Sequence, residues 1–235
     1  MEDTPIIKFL GLSFNFNTSI ATLIVLAFIS LFFVFASQKR SMNRPSKLQV
    51  GIELLIEFIQ SICDSTLGQH QEPYMVLAMT FFTFILVGNL IGLPFLLVFN
   101  HTSYWRSPTA DPIVTVTLAI IAILSGHILG VKAKGGLVNH LKAFYAKPNL
   151  LKMPLQLVEE TINTTTLALR LYGNILAGEV LLGLIAGFAM VWFPVTWIAA
   201  LPLQVVWQGF SVFIGSIQAY IFTTLTLVYL SHKIH

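Results

Sequence analysis

The hydrophobic positions of the chain are grouped into long runs, separated by short polar or basic stretches. Each run approaches or exceeds the roughly 20 residues that a helix needs to cross a bilayer core. The runs predict membrane helices over residues 18–37, 74–99, 112–131, 154–190 and 194–231. We therefore expect an all-α integral membrane protein with about five membrane helices, forming a single membrane domain over residues 1–235.

Residues 46–68 follow a different pattern, in which apolar side chains recur at helical spacing and acidic side chains occupy other faces. The apolar positions are Leu48, Ile52, Leu55, Ile59 and Ile62, and the acidic ones are Glu53, Glu57 and Asp64. A helix of this kind lies at a membrane surface or against a partner. We expect an amphipathic interfacial helix here.

The last two hydrophobic runs are too long for helices that cross a membrane at right angles. A helix over residues 154–190 would be roughly 55 Å long, against a hydrocarbon core of about 30 Å. Such helices must tilt. Pro194 and Pro202 predict that the chain folds back over residues 192–202, with the last helix regular from Val205 to Leu230. We expect a long, steeply tilted helical hairpin.

The composition agrees with a membrane protein, since 56% of the residues are hydrophobic and 10% are charged, against about 25% charged in soluble domains. Basic residues cluster after the first and third runs, at Lys39, Arg40, Arg44 and Lys47 and at Lys132, Lys134, Lys142, Lys147 and Lys152. Basic loops stay in the cytoplasm. We expect a multi-pass plasma-membrane protein with its N-terminus outside and its C-terminus cytoplasmic.

The sequence lacks the patterns of cofactor and metal chemistry. Cys63 is the only cysteine, which excludes an internal disulfide. We find no nucleotide-binding glycine loop, no Cys/His metal spacing and no Ser/His/Asp order. The basic clusters have no interleaved aromatic residues. We therefore expect no cofactor, no metal and no nucleic-acid partner.

Arg170 is the most unusual residue of the chain. Between Thr161 and Ser231 only Arg170 and Glu179 are formally charged, and an arginine at membrane depth costs roughly 3 kcal/mol or more. Such a residue normally faces a partner or a watery cavity. Helical spacing places Asn163, Thr166, Arg170 and Asn174 on one face, and Glu179 on the other side of the helix.

The last helix has a narrow polar seam formed by Gln204, Gln208, Ser211, Gly215 and Gln218. An antiparallel hairpin would bring this seam beside Arg170, with Gln218 as the nearest neighbour. Amides and hydroxyls can hydrogen-bond water or an arginine without adding charge. The same residue types also line ordinary packed membrane helices, and both interpretations stay open.

Other polar residues receive simpler interpretations. Glu159 and Glu160 lie next to the basic loop and could line a cytoplasmic mouth, or follow the preference for acids near helix N-termini. His127 has no acidic neighbour in sequence, which favours a packed, neutral histidine. His140 has no functional signal, and Asp111 is interpreted as a helix cap.

Leu167 to Glu179, reading LALRLYGNILAGE, closely resembles the signature of subunit a of the F-type ATP synthase. The resemblance extends over nearly the whole chain, including the last-helix residues 218–222 and 225–230, Gly88 to Pro94, and Ser107 to Asp111. Tyr172 within the signature and the compact length are typical of bacterial members of the Gram-positive type.

The resemblance implies roles for individual residues. Arg170 corresponds to the essential arginine that faces the carboxylates of a rotating ring of c subunits. Asn174 and Gln218 match polar positions near that contact, and Glu179 matches a titratable half-channel position. Ser211 stands where some relatives have a second titratable residue, so the path would depend on Glu179, with water, Ser211 or Gln208 completing it.

The resemblance also implies the function. The chain would be a non-catalytic stator subunit that couples proton translocation through two half-channels to rotation and ATP synthesis. Its partners would be the c ring, the b-subunit peripheral stalk, the other ATP synthase subunits and membrane lipid. Two alternatives remain at this stage: a stand-alone secondary transporter or ion channel, and a structural membrane anchor that tolerates substitution of Arg170.

Overall fold

The computed structural model describes residues 6–9, 12–38, 46–68, 72–92, 98–99, 102–103, 107–141, 153–189, 191 and 195–234. Some sequence expectations concern residues outside these ranges. They are the basic residues Lys39, Arg40 and Arg44, the loop lysines Lys142, Lys147 and Lys152, and Trp192 and Pro194 in the fold-back segment.

The described residues form mainly helices. These are α1 (Phe16–Gln38), α2 (Lys47–Leu67), α3 (Glu72–Gly92), α4 (Pro112–Ala133), α5 (Leu137–Leu141), α6 (Met153–Ala189) and α7 (Val195–Ile234), with a 3-10 turn at Pro108–Ala110. Two short antiparallel hairpins pair β1 (Ile6–Phe9) with β2 (Leu12–Asn15), and β3 (Val98–Phe99) with β4 (Thr102–Ser103).

Five of the described helices, α1, α3, α4, α6 and α7, are long and apolar enough to cross a membrane. The predicted all-α membrane class is therefore confirmed, because the strands span at most four residues each. Helices α6 and α7 contain 37 and 40 residues, well beyond a perpendicular crossing. Their steep tilt and the single-domain organisation stay predictions.

Helix α2 is bounded by two capping residues. The Ser46 hydroxyl accepts a hydrogen bond from the backbone N–H of Gln49 at 3.2 Å. Gly68, which follows the helix, has φ of 66°, a left-handed conformation that glycine adopts at little cost. Burial is concentrated toward the C-terminal end, at Ile59, Ile62, Cys63 and Leu67.

The chain divides into two compact units. The first comprises residues 1–40, 83–111 and 171–219, and the second comprises residues 41–82, 112–170 and 220–235. Helices α3, α6 and α7 contribute residues to both units.

A buried polar network joins α3, the 3-10 turn and α7 in the first unit. Asn89 is fully buried, and its Nδ2 donates to the Gly215 carbonyl at 3.0 Å. The Thr109 hydroxyl donates to Asn89 Oδ1 at 2.7 Å, and the Ser107 hydroxyl donates to the Gly88 carbonyl at 2.9 Å. Buried polar groups need such partners, so this network fixes how these three elements pack.

Aromatic packing connects α2, α3 and α7 in the second unit. The Phe58 ring centroid lies 5.6 Å from that of Phe82 and 6.0 Å from that of Tyr220. Phe81 and Phe222 have centroids 5.6 Å apart. These separations are typical of favourable aromatic pairs.

Two helices differ from the hydrophobic runs in their described bounds. Helix α3 is described as far as Gly92, and Val98–Phe99, at the end of the predicted span, form strand β3. Helix α7 begins at Val195 and runs through Pro202, where a break was expected. Proline is tolerated inside membrane helices because neighbouring groups can compensate for the missing hydrogen bond.

Candidate functional site

Arg170 lies on α6 and is half-buried. Its side chain makes no hydrogen bond and no ion pair with any residue that the structure describes. A guanidinium carries five N–H donors and a permanent charge, so an unpaired one in an apolar helix requires water or another molecule as its partner.

One helical turn after Arg170, α6 is hydrogen-bonded to α7. Asn174 Nδ2 donates to Gln218 Oε1 at 2.8 Å. Gln218 is 1% exposed and Asn174 is exposed, so this bond between α6 and α7 in the first unit is part-buried. The structure therefore brings together Asn174 and Gln218, two residues that the sequence placed on facing polar stripes.

Two polar atoms of the α7 seam are buried without a hydrogen-bond partner among the described residues. They are Gln218 Nε2 and Ser211 Oγ. Such atoms are uncommon in folded proteins and need an explanation, for which bound water is a frequent answer. The seam is therefore polar at two levels, seven residues and about two helical turns apart.

A close approach of α6 and α7 surrounds Ser211. A Cβ placed on Gly178 would lie 3.7 Å from Ser211 Oγ, and Trp207 Nε1 donates to the Gly178 carbonyl at 3.3 Å. The next residue, Glu179, is half-buried, and its Oε1 is shielded from solvent. A methyl group at Gly178 would thus make only an ordinary van der Waals contact with Ser211, and α7 packs against α6 next to the carboxylate position.

The remaining polar residues that the sequence singled out differ in exposure. In the first unit, Gln208 is half-buried on α7. In the second unit, Glu159 is exposed and Asn163 is half-buried on α6, and both line one cavity. The Thr166 hydroxyl donates to the Ile162 carbonyl of its own helix at 2.7 Å.

Glu160 is the centre of a second polar cluster, in the second unit. Its Oε1 lies 2.5 Å from Lys233 Nζ on α7 and 2.5 Å from His127 Nε2 on α4. The Lys233 side chain is 4% exposed and that of Glu160 is 15% exposed. Lys233 also donates to the Ile123 carbonyl at 3.1 Å. The acid is thus held by two cationic or potentially cationic donors.

His140 extends this cluster from the short helix α5. Its Nε2 lies 3.1 Å from His127 Nδ1, and the residue is 1% exposed. Burial lowers the pKa of His140 below its usual value, and the neighbouring His127, Lys134 and Lys233 lower it further, against an opposing effect of Glu160. The neutral imidazole is therefore favoured.

Two glycines of α4 make room for these side chains. A Cβ on Gly126 would lie 3.2 Å from Lys233 Cδ, and one on Gly130 would lie 2.5 Å from His140 Cε1. Small residues four apart commonly permit close approach in membrane helices.

The acidic neighbour of His127 is 33 positions away in sequence, so sequence proximity could not reveal it. His140 and Lys233 were not assigned to any site. The spacing Gly126-x-x-x-Gly130 around His127 is the one local signal that could have indicated a crowded polar contact there.

A small cavity of about 40 Å³ adjoins the second cluster. It is lined by Gln156, Glu159, Glu160, Asn163, Tyr229 and Lys233, among others. This volume exceeds the minimum of roughly 10–15 Å³ for a water molecule. Among the described residues, no group of three His, Cys, Asp or Glu side chains is placed to hold a metal ion.

Comparison with known proteins identifies the family. Residues 19–231 match the model of the ATP synthase A chain family. The chain belongs to the ATP synthase A chain family. It is 41% identical to ATP synthase subunit a of Priestia megaterium, covering 99% of this chain and 98% of the relative. It is 42% identical to ATP synthase subunit a of Bacillus subtilis, covering 97% of this chain and 96% of the relative. It is 44% identical to that of Listeria monocytogenes, covering 99% of this chain and 98% of the relative.

Membership of the ATP synthase A chain family confirms the resemblance inferred from the Leu167–Glu179 signature. It also confirms that the chain is a membrane subunit of a larger enzyme and not a catalytic chain by itself. The five apolar helices agree with a multi-pass protein.

Proposed function

We propose that the chain is the stator subunit of the proton-driven rotary sector and that Arg170 is its gate. The observation that carries this proposal is that Arg170 is unpaired within the described part of its own chain, on a helix of the family signature. A permanent cation without a partner among the described residues suits an acid presented by another subunit. The partner would be the carboxylate of a c-subunit ring that turns against α6 and α7.

The carboxylate chemistry follows from the environment. A ring carboxylate that faces lipid must be neutral, because a bare charge there is prohibitive. Next to Arg170 the opposite charge favours the ionised form, so the proton leaves. Arg170 stays protonated and cannot pass the proton onward, and it therefore separates two aqueous half-channels. Each charge that crosses about 100 mV supplies about 2.3 kcal/mol to bias rotation.

The proton path on one side of the gate would use Glu179, with Ser211, Gln208 and bound water completing it. The unpartnered Ser211 Oγ and Gln218 Nε2 support this assignment, because buried water would satisfy both atoms. The bond between Asn174 and Gln218 would fix the polar lining beside Arg170.

Glu159 and Glu160 would line the opposite, cytoplasmic mouth. Their position at a water-sized cavity supports this assignment. We further propose that the N-terminus lies outside and the C-terminus in the cytoplasm. The chain would form a single membrane domain with a steeply tilted helical hairpin. The b-subunit stalk, membrane lipid and the remaining ATP synthase subunits would surround it.

The stator function and a stand-alone transporter can be separated by reconstitution. The purified chain alone in liposomes should conduct no protons above the empty-liposome leak, whereas the chain reconstituted with a c ring should conduct them. Proton conduction by the chain alone would overturn the proposal and support the transporter. Copurification of a ring of small two-helix subunits from native membranes is a second expected result.

A further inference from the structure

The cluster at α4, α5, α6 and α7 contains an unbroken series of groups that can carry protons. His140 Nε2 lies 3.1 Å from His127 Nδ1, and His127 Nε2 lies 2.5 Å from Glu160 Oε1. Each histidine therefore uses one ring nitrogen toward the next group in the series. Glu160 in turn borders the cavity that also touches Glu159 and Asn163.

An ion pair alone does not require this arrangement. Lys233 already neutralises Glu160 at 2.5 Å and is itself almost fully buried. His127 adds a second donor to the same carboxylate oxygen. His140 adds a second imidazole, which contacts the other ring nitrogen of His127. Both imidazoles are accommodated where α4 has Gly126 and Gly130, so the backbone is shaped around the series.

We propose that His127 and His140 form a proton relay that exchanges protons with Glu160 at the cavity. The relay rests on the proposed function, since it would supply or remove the protons that pass through the half-channel on this side of Arg170. An imidazole is suited to this task because it accepts a proton on one nitrogen while releasing another from the opposite nitrogen.

Proton transfer through the series balances without another reactant. In the resting state His140 Nε2–H donates to His127 Nδ1, and His127 Nε2–H donates to the Glu160 carboxylate. A proton delivered to His140 Nδ1 by bound water is followed by transfer from His140 Nε2 to His127 Nδ1 and from His127 Nε2 to Glu160 Oε1, and the water is left as hydroxide that recovers a proton from the aqueous side. One proton has then moved from His140 to the acid at the cavity, and the reverse sequence carries one away.

The charged groups around His140 favour the transfer of a proton to the next group over its retention on the imidazole. Lys233 and Lys134 act on His140 together with His127, while Glu160 opposes them. Glu159 and His232 face the adjoining cavity. Two cations beside a buried imidazole make a long-lived positive charge there unfavourable, so a proton that arrives would be passed toward Glu160.

The test uses membrane vesicles that contain the complete membrane sector with its c ring, with proton conduction measured under an imposed gradient. His127→Gln keeps the approximate size of the side chain and an N–H donor for Glu160, but its amide cannot transfer protons. We expect conduction to fall by about 10²-fold, the lower end of what a positioned acid–base group contributes. His140→Gln should have the same effect.

Two controls distinguish a relay from a structural role. Ser125→Ala, on the same helix as His127, removes a hydroxyl that donates to the Ile121 carbonyl of its own helix and should leave the pH dependence of conduction unchanged from roughly pH 5 to 8, where imidazoles titrate. In His127→Ala, added imidazole should restore conduction, whereas a size-matched compound without a titratable nitrogen should not.

Unaltered conduction in both His127→Gln and His140→Gln, with ATP-driven pumping still abolished by Arg170→Ala, would overturn the relay and leave the stator function intact. Normal pumping in Arg170→Ala would instead overturn the stator function. If His127→Gln fails to assemble, imidazole rescue of His127→Ala decides the question, and absence of rescue in an assembled complex rejects the relay.

Discussion

Asn174 on α6 donates a 2.8 Å hydrogen bond to Gln218 on α7, and the acceptor residue is 1% exposed. This amide pair is one turn from Arg170 along α6, so it connects the proposed gate helix to the polar seam of its neighbour. The remaining Gln218 donor, Nε2, has no partner among the described residues. The pair is thus both a structural contact and a candidate water site.

Removal of this amide should affect function more than assembly. Gln218→Ala is expected to lower the stability of the complex by about 1 kcal/mol, the net contribution of one such hydrogen bond. Proton pumping should fall several-fold, because the α7 seam loses the Gln218 Nε2 donor. Thermal dissociation of the complex and pumping in vesicles measure the two effects. Thr224→Ala, which removes a hydroxyl bonded to its own helix, is the control, and equal loss of pumping in both variants would contradict the assignment.

Glu179 tests the proposed half-channel. Glu179→Gln preserves shape but cannot exchange a proton, so proton flux should fall by about 10²-fold or more while the complex still assembles. Glu179→Asp keeps the acid and should retain much of the flux. Flux in Glu179→Gln equal to that of the unaltered protein would remove this residue from the path.

Gly130 should be intolerant of even a methyl group. The added Cβ of Gly130→Ala would lie 2.5 Å from His140 Cε1 and 3.2 Å from the Lys233 carbonyl oxygen, so we expect a loss of about 1–3 kcal/mol from overpacking. Gly187→Ala has no atom within 4 Å of the added carbon and should stabilise α6 by up to about 1 kcal/mol. Thermal dissociation of the two variants should therefore shift in opposite directions, and a shift in the same direction would speak against the packing around His140.

His140 should make stability depend on pH. Because its pKa is lowered in the folded protein from the usual 6.5, the unfolded chain binds the proton more tightly. The contribution of His140 to the free energy of unfolding is fully present above about pH 6.5, and it is lost as the pH falls from there toward the pKa of the folded state. His140→Leu should flatten this acid limb in thermal dissociation, while His232→Gln should not. An unchanged acid limb in His140→Leu would show that another group is responsible.

The sequence was sufficient for features that repeat along one helix. The spacing of Asn163, Arg170 and Asn174 and of the α7 seam is local, so helical periodicity predicted two polar stripes. The sequence placed Gln218 beside Arg170, and the structure pairs it with Asn174, one turn further along α6. Hydrophobic runs predicted the helices, but hydrophobicity did not predict that α7 would continue through Pro202.

The second cluster could not be obtained in this way. His127 contacts residues 13 and 33 positions away, and Lys233 contacts one 73 positions away. These separations depend on how α4, α5, α6 and α7 pack within the second unit, and of the four residues only Glu160 was a candidate from its own segment. The spacing of Gly126 and Gly130 around His127 was the one local sequence signal for that packing.

Proton pumping by the complete ATP synthase that contains Arg170→Ala tests the gate most directly. In inverted membrane vesicles supplied with ATP, the unaltered complex should acidify the interior, and the variant should hydrolyse ATP without acidification. Arg170→Lys should also fail, since lysine can lose its proton when buried and lacks the planar donor fork of arginine. Acidification by Arg170→Ala at the normal rate would contradict the proposal that this guanidinium discharges the acids of the ring.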